Sequence, residues 1–473
     1  MADELSVEET TVPGLLVVRL PRPEDARGWF KENWQREKMV ALGLPDFEPV
    51  QQNMAYNADR GTTRGIHAEP WDKLVSVATG RVFGAWVDLR EGPSFGSVFH
   101  LEIGPDTAVF VPRGVGNSYQ ALEDGTLYSY LVNDHWRAGT AYPAVTLDDP
   151  TAAIPWPIPL AEAEVSDKDR ANPRLEDVEP MQPRRTLVVG AAGQLGRALA
   201  AAFPEADLVD HVADAGAGIE ALDLGDPAAI AAWPWAEYGL VLNAAAYTAV
   251  DEAETPDGRR VAWQVNAGGP AALARVALAH RLTLVHYSTE YVFDGTVADH
   301  VEDEPLSPLG VYAQTKAAGD VAVSVLPRHY LLRTSWVVGE GRNFVRTMQK
   351  LAHDGVSPTV VDDQVGRLTF TDELARATRH LVTTGAAYGT YNVSNGGEPM
   401  AWVDVARAVF ALCGRSADDV SATSTAAYAE GRSMAPRPAN STMDLSKLRA
   451  TGFEPEDAGA ALERYVLTTG ERP

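Results

Sequence analysis

The chain has 473 residues, 45% of them hydrophobic and 22% charged, which excludes wholesale disorder and fits about three domains, or two larger ones. Its 65 acidic and 40 basic residues leave a net charge of −25, spread along the chain, which excludes generic attraction to nucleic acid or an anionic membrane. A single cysteine, Cys413, excludes an internal disulfide and a thiolate metal cluster, and no apolar run reaches membrane-spanning length.

Met1–Gly14 is acidic and lacks a basic stretch followed by an apolar one, so no leader peptide and a cytoplasmic location are expected. In chain order, the first half then reads as strand. Leu74–Val77 and Val82–Leu89 alternate between faces around Ala78-Thr-Gly-Arg81 and predict a β-hairpin. Ser97–Ile103 and Ala108–Val111, around Gly104-Pro-Asp106, predict a second. Short strands with this punctuation predict a sandwich, barrel or jelly roll. Pro155–Pro183 is rich in proline and charge and weakly periodic, which predicts a domain tail and then a linker. The expected boundaries are 1–180 for the first domain, 181–185 for the linker and 186–473 for the second domain.

This half also carries reactive residue types. Asp25-Ala-Arg-Gly-Trp-Phe30, Gln51-Gln-Asn53, Arg64-Gly-Ile-His67, Lys73, Tyr130, Asp148-Asp-Pro150, Trp156-Pro157 and Ser166-Asp-Lys-Asp169 follow one another. With these, residues 8–180 resemble the dTDP-4-dehydrorhamnose 3,5-epimerases, a family of cupin-like β jelly rolls that use no metal. The resemblance implies that His67 is a base, that Asp169 orients and charges it, that Lys73 stabilises an enolate and that Tyr130 returns the proton. It implies that Arg27 and Arg64 hold a nucleotide diphosphate, and that Gln51, Asn53 and Asn117 contact the substrate. The chemistry suits these residue types. Inverting a carbon beside a ketone needs a base, a positive group for the enolate oxygen and an acid on the opposite ring face.

Two features depart from the family. Gly114-Val-Gly-Asn-Ser-Tyr119 has Asn117 where a second histidine is usual, and the segment from His67 to Lys73 is shorter than usual. A metal-dependent cupin would need a His-x-His pair with a glutamate and a further histidine. His67-Ala-Glu69 and the isolated His100 do not supply that set, so no metal is expected.

From Thr186 strands and helices alternate. Strands are predicted at Thr186–Val189, Leu208–Asp210, Leu240–Leu242, Leu282–Tyr287 and Tyr330–Leu332. Helices are predicted at Gln194–Phe203, Val261–His280 and Tyr312–Leu326. This alternation predicts an α/β Rossmann fold with a doubly wound parallel sheet. After about Asn343 the elements shorten and mix, which predicts a small substrate lobe at the C-terminal edge of the sheet.

Gly190-Ala-Ala-Gly193-Gln194-Leu195-Gly196 follows the first strand and opens the first helix. Such glycines let backbone approach a pyrophosphate, and the helix N-terminus supplies N–H donors. Asp210 ends the second strand, where an acid accepts bonds from the adenosine ribose; this favours NADH and leaves NADPH open. Tyr312-Ala-Gln-Thr-Lys316 puts a tyrosine and a lysine on one helical face. The tyrosine suits proton exchange with a ketone during hydride transfer, and the ammonium is expected to lower its pKa and bind the nicotinamide ribose. Thr289, at a strand end, is placed to bond the substrate carbonyl.

Residues 186–470 resemble the dTDP-4-dehydrorhamnose reductases, which are extended short-chain dehydrogenases. The matching stretches are Gly190–Gly196, Asn243-Ala-Ala-Ala-Tyr-Thr-Ala-Val-Asp251, Val265-Asn266, Ser288–Gly295, Arg333-Thr-Ser-Trp336, Asn343-Phe344, Asp363-Gln364 and Arg437-Pro-Ala-Asn-Ser441. The resemblance implies that Thr289, Tyr312 and Lys316 form the catalytic set and that Asn243, Ala244 and Ala245 line the cofactor. It implies that Trp336, Asn343 and Arg437 face a sugar nucleotide. The usual Thr-Asp-Tyr reads Thr289-Glu-Tyr291 here, and the usual Tyr-Gly-x-Ser-Lys reads Tyr312-Ala-Gln-Thr-Lys316. Neither change removes a catalytic group. Some family members need magnesium, for which no carboxylate cluster is assignable.

Together the two resemblances imply a bifunctional enzyme that makes dTDP-L-rhamnose. It would epimerise dTDP-4-dehydro-6-deoxy-glucose at C3 and C5 and reduce the 4-ketone with NADPH or NADH. Two alternatives stay open. Asn117 leaves room for an inactive or single-centre epimerase making another 6-deoxyhexose nucleotide. The other is a non-catalytic cofactor-binding regulatory protein, against which the joint presence of Thr289, Tyr312 and Lys316 argues. The carrier, dTDP or UDP, is not distinguished. The expected partner is the sugar nucleotide, with no nucleic acid or membrane, and dimers are common in both families, so a homodimer is expected.

Overall fold

Strands in the first half of the computed structural model, which describes residues 4–469, assemble into two antiparallel sheets. The outer ends of the two expected domains, residues 1–3 and 470–473, lie outside the described residues. Ser6–Glu9, Leu16–Arg19, Thr107–Val111, Lys73–Thr79, Thr126–Val132 and Gln51–Asn57 form one sheet, in that spatial order. Thr63–His67, Val115–Ala121, Val82–Asp88 and Val98–Ile103 form the other. Val75, Val77, Val109 and Tyr128 of the first sheet share a core with Val82, Trp86, Val115 and Tyr119 of the second. This is the interdigitated interior of a jelly roll.

Neither expected hairpin forms. Lys73–Thr79 pairs with Thr107–Val111 and Thr126–Val132, whereas Val82–Asp88 lies in the other sheet. The same division separates Val98–Ile103 from Thr107–Val111. The turn residues reverse the chain, but the reversal crosses the sandwich. Burial decides the partner: Val82–Asp88 is buried at every position, so it needs cover on both faces. Val82 and Trp86 face the central core, while Phe83, Ala85 and Val87 face Val145, Leu147, Ile154, Leu175 and Val178. The proline-rich tail therefore packs as structure on this outer face. Met181 still bridges Arg90, and Arg185 opens the next strand.

The chain divides into two compact units between Pro183 and Arg184. In the second unit, Ile219–Ala221, Asp207–Asp210, Arg185–Val189, Tyr238–Asn243, Thr283–Thr289, His329–Thr334 and Gly389–Val393 form one parallel sheet in that order. Alternate residues feed opposite layers. Val188, Leu242 and Val285 pack with Leu199, Leu374 and Leu381 of the helices Gln194–Ala202 and Thr371–Thr383. Leu187, Val189 and Val241 pack with Leu273, Ala277 and Val323 on the other side. The sheet is doubly wound, with its ligand edge at the C-terminal ends of the strands.

Two expected helices form with altered limits. Val311–Ser324 carries Tyr312 and Lys316. The helix expected over Val261–His280 starts at Pro256, where Thr255 caps it, and is broken by a π-helical turn, Gln264–Gly268. After the strand His329–Thr334, the helices Phe344–His353, Trp402–Leu412 and Ala458–Thr469 enclose a separate core with Trp336, Val405, Phe410 and Leu462. Among the described residues no helix is long and apolar enough to cross a membrane.

Candidate active sites

In the first unit, the strand Thr63–His67 lies against Val115–Ala121 with Asn117 opposite His67 and Tyr119 opposite Arg64. Gly65 allows that approach: its φ is +121°, and a Cβ there would sit 2.4 Å from Ser118 Cβ. His67 Nε2 bonds Asp169 Oδ1 at 2.8 Å. Asp169 sits on the one-turn helix Asp167–Arg170, where its amide donates to Ser166 Oγ at 3.1 Å. Burial raises the Asp169 carboxyl, but bonds from His67, Ser166 and the Gly65 amide outweigh it and hold the group below its ordinary range.

Lys73, only 3% exposed, opens its strand with Nζ against the Glu69 carboxylate and 5.9 Å from the Tyr130 ring centre. Burial, and next Glu69, push the Tyr130 phenol up to about 12, so it stays protonated at neutral pH. Asn53 lies opposite Tyr130 in register and accepts from Gln51 Nε2 at 2.9 Å. Arg64 donates to Asn57 Oδ1 at 3.3 Å. Asn117 Oδ1 accepts from Trp86 Nε1 and from the Tyr128 hydroxyl, each at 3.0 Å, so its carbonyl end is committed to the core. Arg27 instead lies on an exposed two-stranded hairpin, its side chain 90% exposed and paired with Asp25 at 2.6 Å.

Sequence reasoning missed two groups beside these residues. Glu69, which the sequence offers only as a candidate metal ligand, pairs with Lys73. Tyr142, its ring 5.9 Å from that of His67, lies outside any strand or helix and carries no pattern.

In the second unit, the glycine turn is set by contact. A Cβ on Gly190 would lie 2.6 Å from the Ala245 amide nitrogen, and one on Gly196 would lie 2.0 Å from the Gly190 carbonyl. Gly193 precedes the helix Gln194–Ala202. A cavity of about 610 Å³ is lined by Gly190, Gly193, Asp210, Ala244, Ala245 and Tyr247, among others. Asp210 Oδ2 accepts from the Ala192 amide at 3.0 Å and Oδ1 from the His211 amide at 2.8 Å. These groups fit a dinucleotide: bare backbone lines its phosphate end, and a fixed carboxylate stands where a ribose would bond.

Three residues expected at the cofactor also make contacts within the protein. Gln194 accepts from the Gly339 amide at 3.1 Å and donates to the Arg342 carbonyl at 3.2 Å. Leu195 packs into the core. Asn243, 1% exposed, donates to His286 Nδ1 at 3.0 Å.

Thr289 ends its strand. Its Oγ1 accepts from the Tyr291 amide at 3.2 Å and donates to Glu290 Oε2 at 2.9 Å. The rings of Tyr291 and Tyr312 meet edge-on at 6.1 Å. Arg437 bonds Asp251 at 2.9 Å and reaches the Tyr291 hydroxyl. Lys316 donates to the Tyr287 carbonyl at 2.6 Å. Burial pulls the Lys316 ammonium down to about 8, with Asp320 opposing.

The expected lowering of the Tyr312 phenol is not found. Burial, then Glu290 and Tyr291, push it above the ordinary phenol range, and Lys316 spends its hydrogen bond on a backbone carbonyl. Trp336 stacks on Trp402 with ring centres 3.7 Å apart. Asn343 caps the helix Phe344–His353: it accepts from the Arg346 amide at 2.9 Å and donates to the Gly339 carbonyl at 2.7 Å and the Tyr465 hydroxyl at 2.9 Å. Among the described residues no group of three or more His, Cys, Asp or Glu side chains is placed to hold a metal ion, so no residue is assigned to magnesium.

Comparison with known proteins gives two non-overlapping matches. Residues 184–469 match the family model described as RmlD substrate binding domain, and residues 9–177 the one described as dTDP-4-dehydrorhamnose 3,5-epimerase. The chain is 48% identical over 180 residues to a protein named RmlC homolog from Streptococcus pyogenes serotype M6, covering 37% of this chain and 90% of that protein. It is 35% identical over 292 residues to dTDP-4-dehydrorhamnose reductase from Aggregatibacter actinomycetemcomitans, covering 59% of this chain and 97% of that protein. The crystal structure of dTDP-4-dehydrorhamnose reductase from Bacillus anthracis in complex with NADP is similar at a TM-score of 0.53 and 30% identity, over 60% of this chain and 99% of that one.

Proposed function

The chain belongs to the RmlD substrate binding domain family through residues 184–469 and to the dTDP-4-dehydrorhamnose 3,5-epimerase family through residues 9–177, and from that premise we propose how its residues divide one reaction sequence. It joins an isomerase and an oxidoreductase of dTDP-rhamnose biosynthesis.

In the first unit, His67 takes the proton from a carbon beside the 4-ketone of dTDP-4-dehydro-6-deoxy-glucose. Asp169 fixes the ring and stabilises the imidazolium that forms. Lys73 faces the charge that develops on the ketone oxygen, and Tyr130 delivers a proton to the opposite face. The observation that carries this reading is the His67–Asp169 bond of 2.8 Å, in the same unit as a buried lysine and a phenol that stays protonated. Repeating the cycle at C3 and C5 converts the sugar to its L-configured 4-ketone.

In the second unit, the glycine turn and Asp210 hold a nicotinamide dinucleotide, which when bound supplies the hydride for C4. Tyr312 gives its proton to the ketone oxygen as the hydride arrives, and its raised pKa keeps that proton in place beforehand. Lys316 holds positive charge beside the transfer, Thr289 orients the ketone, and Arg437 is the cation for the substrate's diphosphate. Asp210, fixed by two backbone amides, repels a 2′-phosphate, so the preferred cofactor is NADH.

The test supplies dTDP-4-dehydro-6-deoxy-glucose with NADH or NADPH and follows cofactor oxidation. Oxidation of NADH, at a higher kcat/KM than NADPH, is expected. If neither is oxidised while pre-epimerised substrate is reduced, the epimerase assignment falls and the reductase assignment stands.

A further inference from the structure

The acid at position 290 forms no ion pair among the described residues, yet it is buried beside the groups that serve the ketone. Glu290 is 3% exposed and receives the Thr289 hydroxyl at 2.9 Å. Ser441, from the segment that also carries Arg437, bonds the same carboxyl. The carboxyl thus folds back onto the hydroxyl of its own neighbour.

We propose that Glu290 is a positioning residue for the reductase step, setting the direction in which the Thr289 hydroxyl donates. The inference rests on the reading above, in which Thr289 and Tyr312 serve the substrate ketone. A hydroxyl has one hydrogen and two lone pairs. One Thr289 lone pair is taken by the Tyr291 amide at 3.2 Å. An ionised Glu290 is acceptor-only, so it draws the Thr289 hydrogen to itself and away from the substrate. A protonated Glu290 donates to the remaining Thr289 lone pair. The Thr289 hydrogen is then released from the carboxyl toward the Tyr312 hydroxyl, which Thr289 also bonds, and the ketone oxygen held beside it.

The surroundings favour the protonated form. Burial raises Glu290 to about 8 against the bonds from Thr289 and Ser441. The groups facing it are Tyr312 on the helix Val311–Ser324, with Asp320 further along, and Tyr291 on its own turn. The nearby cations are committed elsewhere: Arg437 to Asp251 and Tyr291, and Lys316 to the Tyr287 carbonyl.

The experiment measures kcat and KM of the full chain for reduction of pre-epimerised 4-ketone with NADH, from about pH 6 to about pH 9.5, for wild type, E290Q, E290L and Y312F. Lys316 titrates in the same range, so the quantity read is the difference between wild type and E290Q. A carboxyl titrating near 8 is about nine-tenths protonated at pH 7 and about one-tenth at pH 9. Wild-type kcat should therefore fall about tenfold further than that of E290Q between those two values, because the amide donates at every pH, with KM for NADH moving alike in both. E290L, which cannot donate, should lose about tenfold or more in kcat at pH 7. Superimposed wild-type and E290Q profiles, or a wild-type kcat for E290L, with Y312F inactive, overturn the role of Glu290 alone. A Y312F chain with the wild-type rate overturns the underlying assignment of Tyr312.

Discussion

Two buried carboxyls in this chain are treated in opposite ways, and each has a measurable consequence. Asp169 meets three donors, so its ionised form is favoured; the stability it adds is present above the ordinary carboxylate range and lost as pH falls through its lowered value. Asp169→Asn keeps an acceptor oxygen for His67 but removes the negative charge that stabilises the imidazolium. The rate of deuterium wash-in at C5, followed by NMR, should drop about 100-fold or more. Glu290 has its pKa raised from 4.5 to about 8, so the folded state loses relative stability as pH rises across that interval. At pH 7 the loss is on the order of 3 kcal/mol. Glu290→Gln should therefore raise the melting temperature of the reductase unit near pH 8 and leave it almost unchanged near pH 4.5; equal shifts at both would speak against a buried neutral acid. The family resemblance implied the pairing of His67 with Asp169, and helical spacing put Tyr312 and Lys316 on one face of a helix; the structure has both arrangements. The role of Glu69 was not legible, since an acid two residues from a histidine reads as a metal ligand until Lys73 is seen against it. The capping role of Asn343 was not legible either, because a capping asparagine and a ligand-binding one are the same letter.

At the level of elements, the parallel sheet was readable and the jelly-roll pairing was not. Each parallel strand is a short apolar run followed by a helix, and the right-handed crossover leaves few arrangements. In the first unit, turn residues announce a reversal but not a partner; the continuous burial of Val82–Asp88 decides that, and it emerges only from packing. The π-helical turn at Gln264–Gly268 escaped because one extra residue leaves the apolar stripe almost unchanged. Within that turn Asn266 accepts from the Tyr247 amide at 2.8 Å and donates to its carbonyl at 3.0 Å, and it also donates to Thr315 at 3.2 Å. A wall of the cavity at the glycine turn is thereby tied to the helix of Tyr312 and Lys316. The glycine turn leaves less room still. In Gly196→Ala the new methyl meets the Gly190 carbonyl, so the turn must open. Weakening of NADH binding by tenfold or more, read by fluorescence titration, is expected, with deuterium wash-in by the first unit unchanged.

Across the whole molecule, a net charge of −25 has to coexist with an anionic sugar nucleotide, and the arginines assigned to it are few. The division at Pro183 and Arg184 leads to a direct expectation. A chain ending at Pro183 should still exchange deuterium at C5. A chain starting at Arg184 should still reduce pre-epimerised substrate. The intact protein should melt in two transitions by calorimetry, and a single transition with two inactive fragments would contradict the division. The tail of the first unit adds a dimension of time. Asp169 lies near the end of its unit, in the segment that covers the outer sheet face, so the His67–Asp169 pair cannot form until almost the last residue of that unit is made. At about 5–20 residues per second, residues 184–473 take roughly 15–60 s more to synthesise. The isomerase half therefore has its entire sequence, and time to fold, before the reductase half is finished.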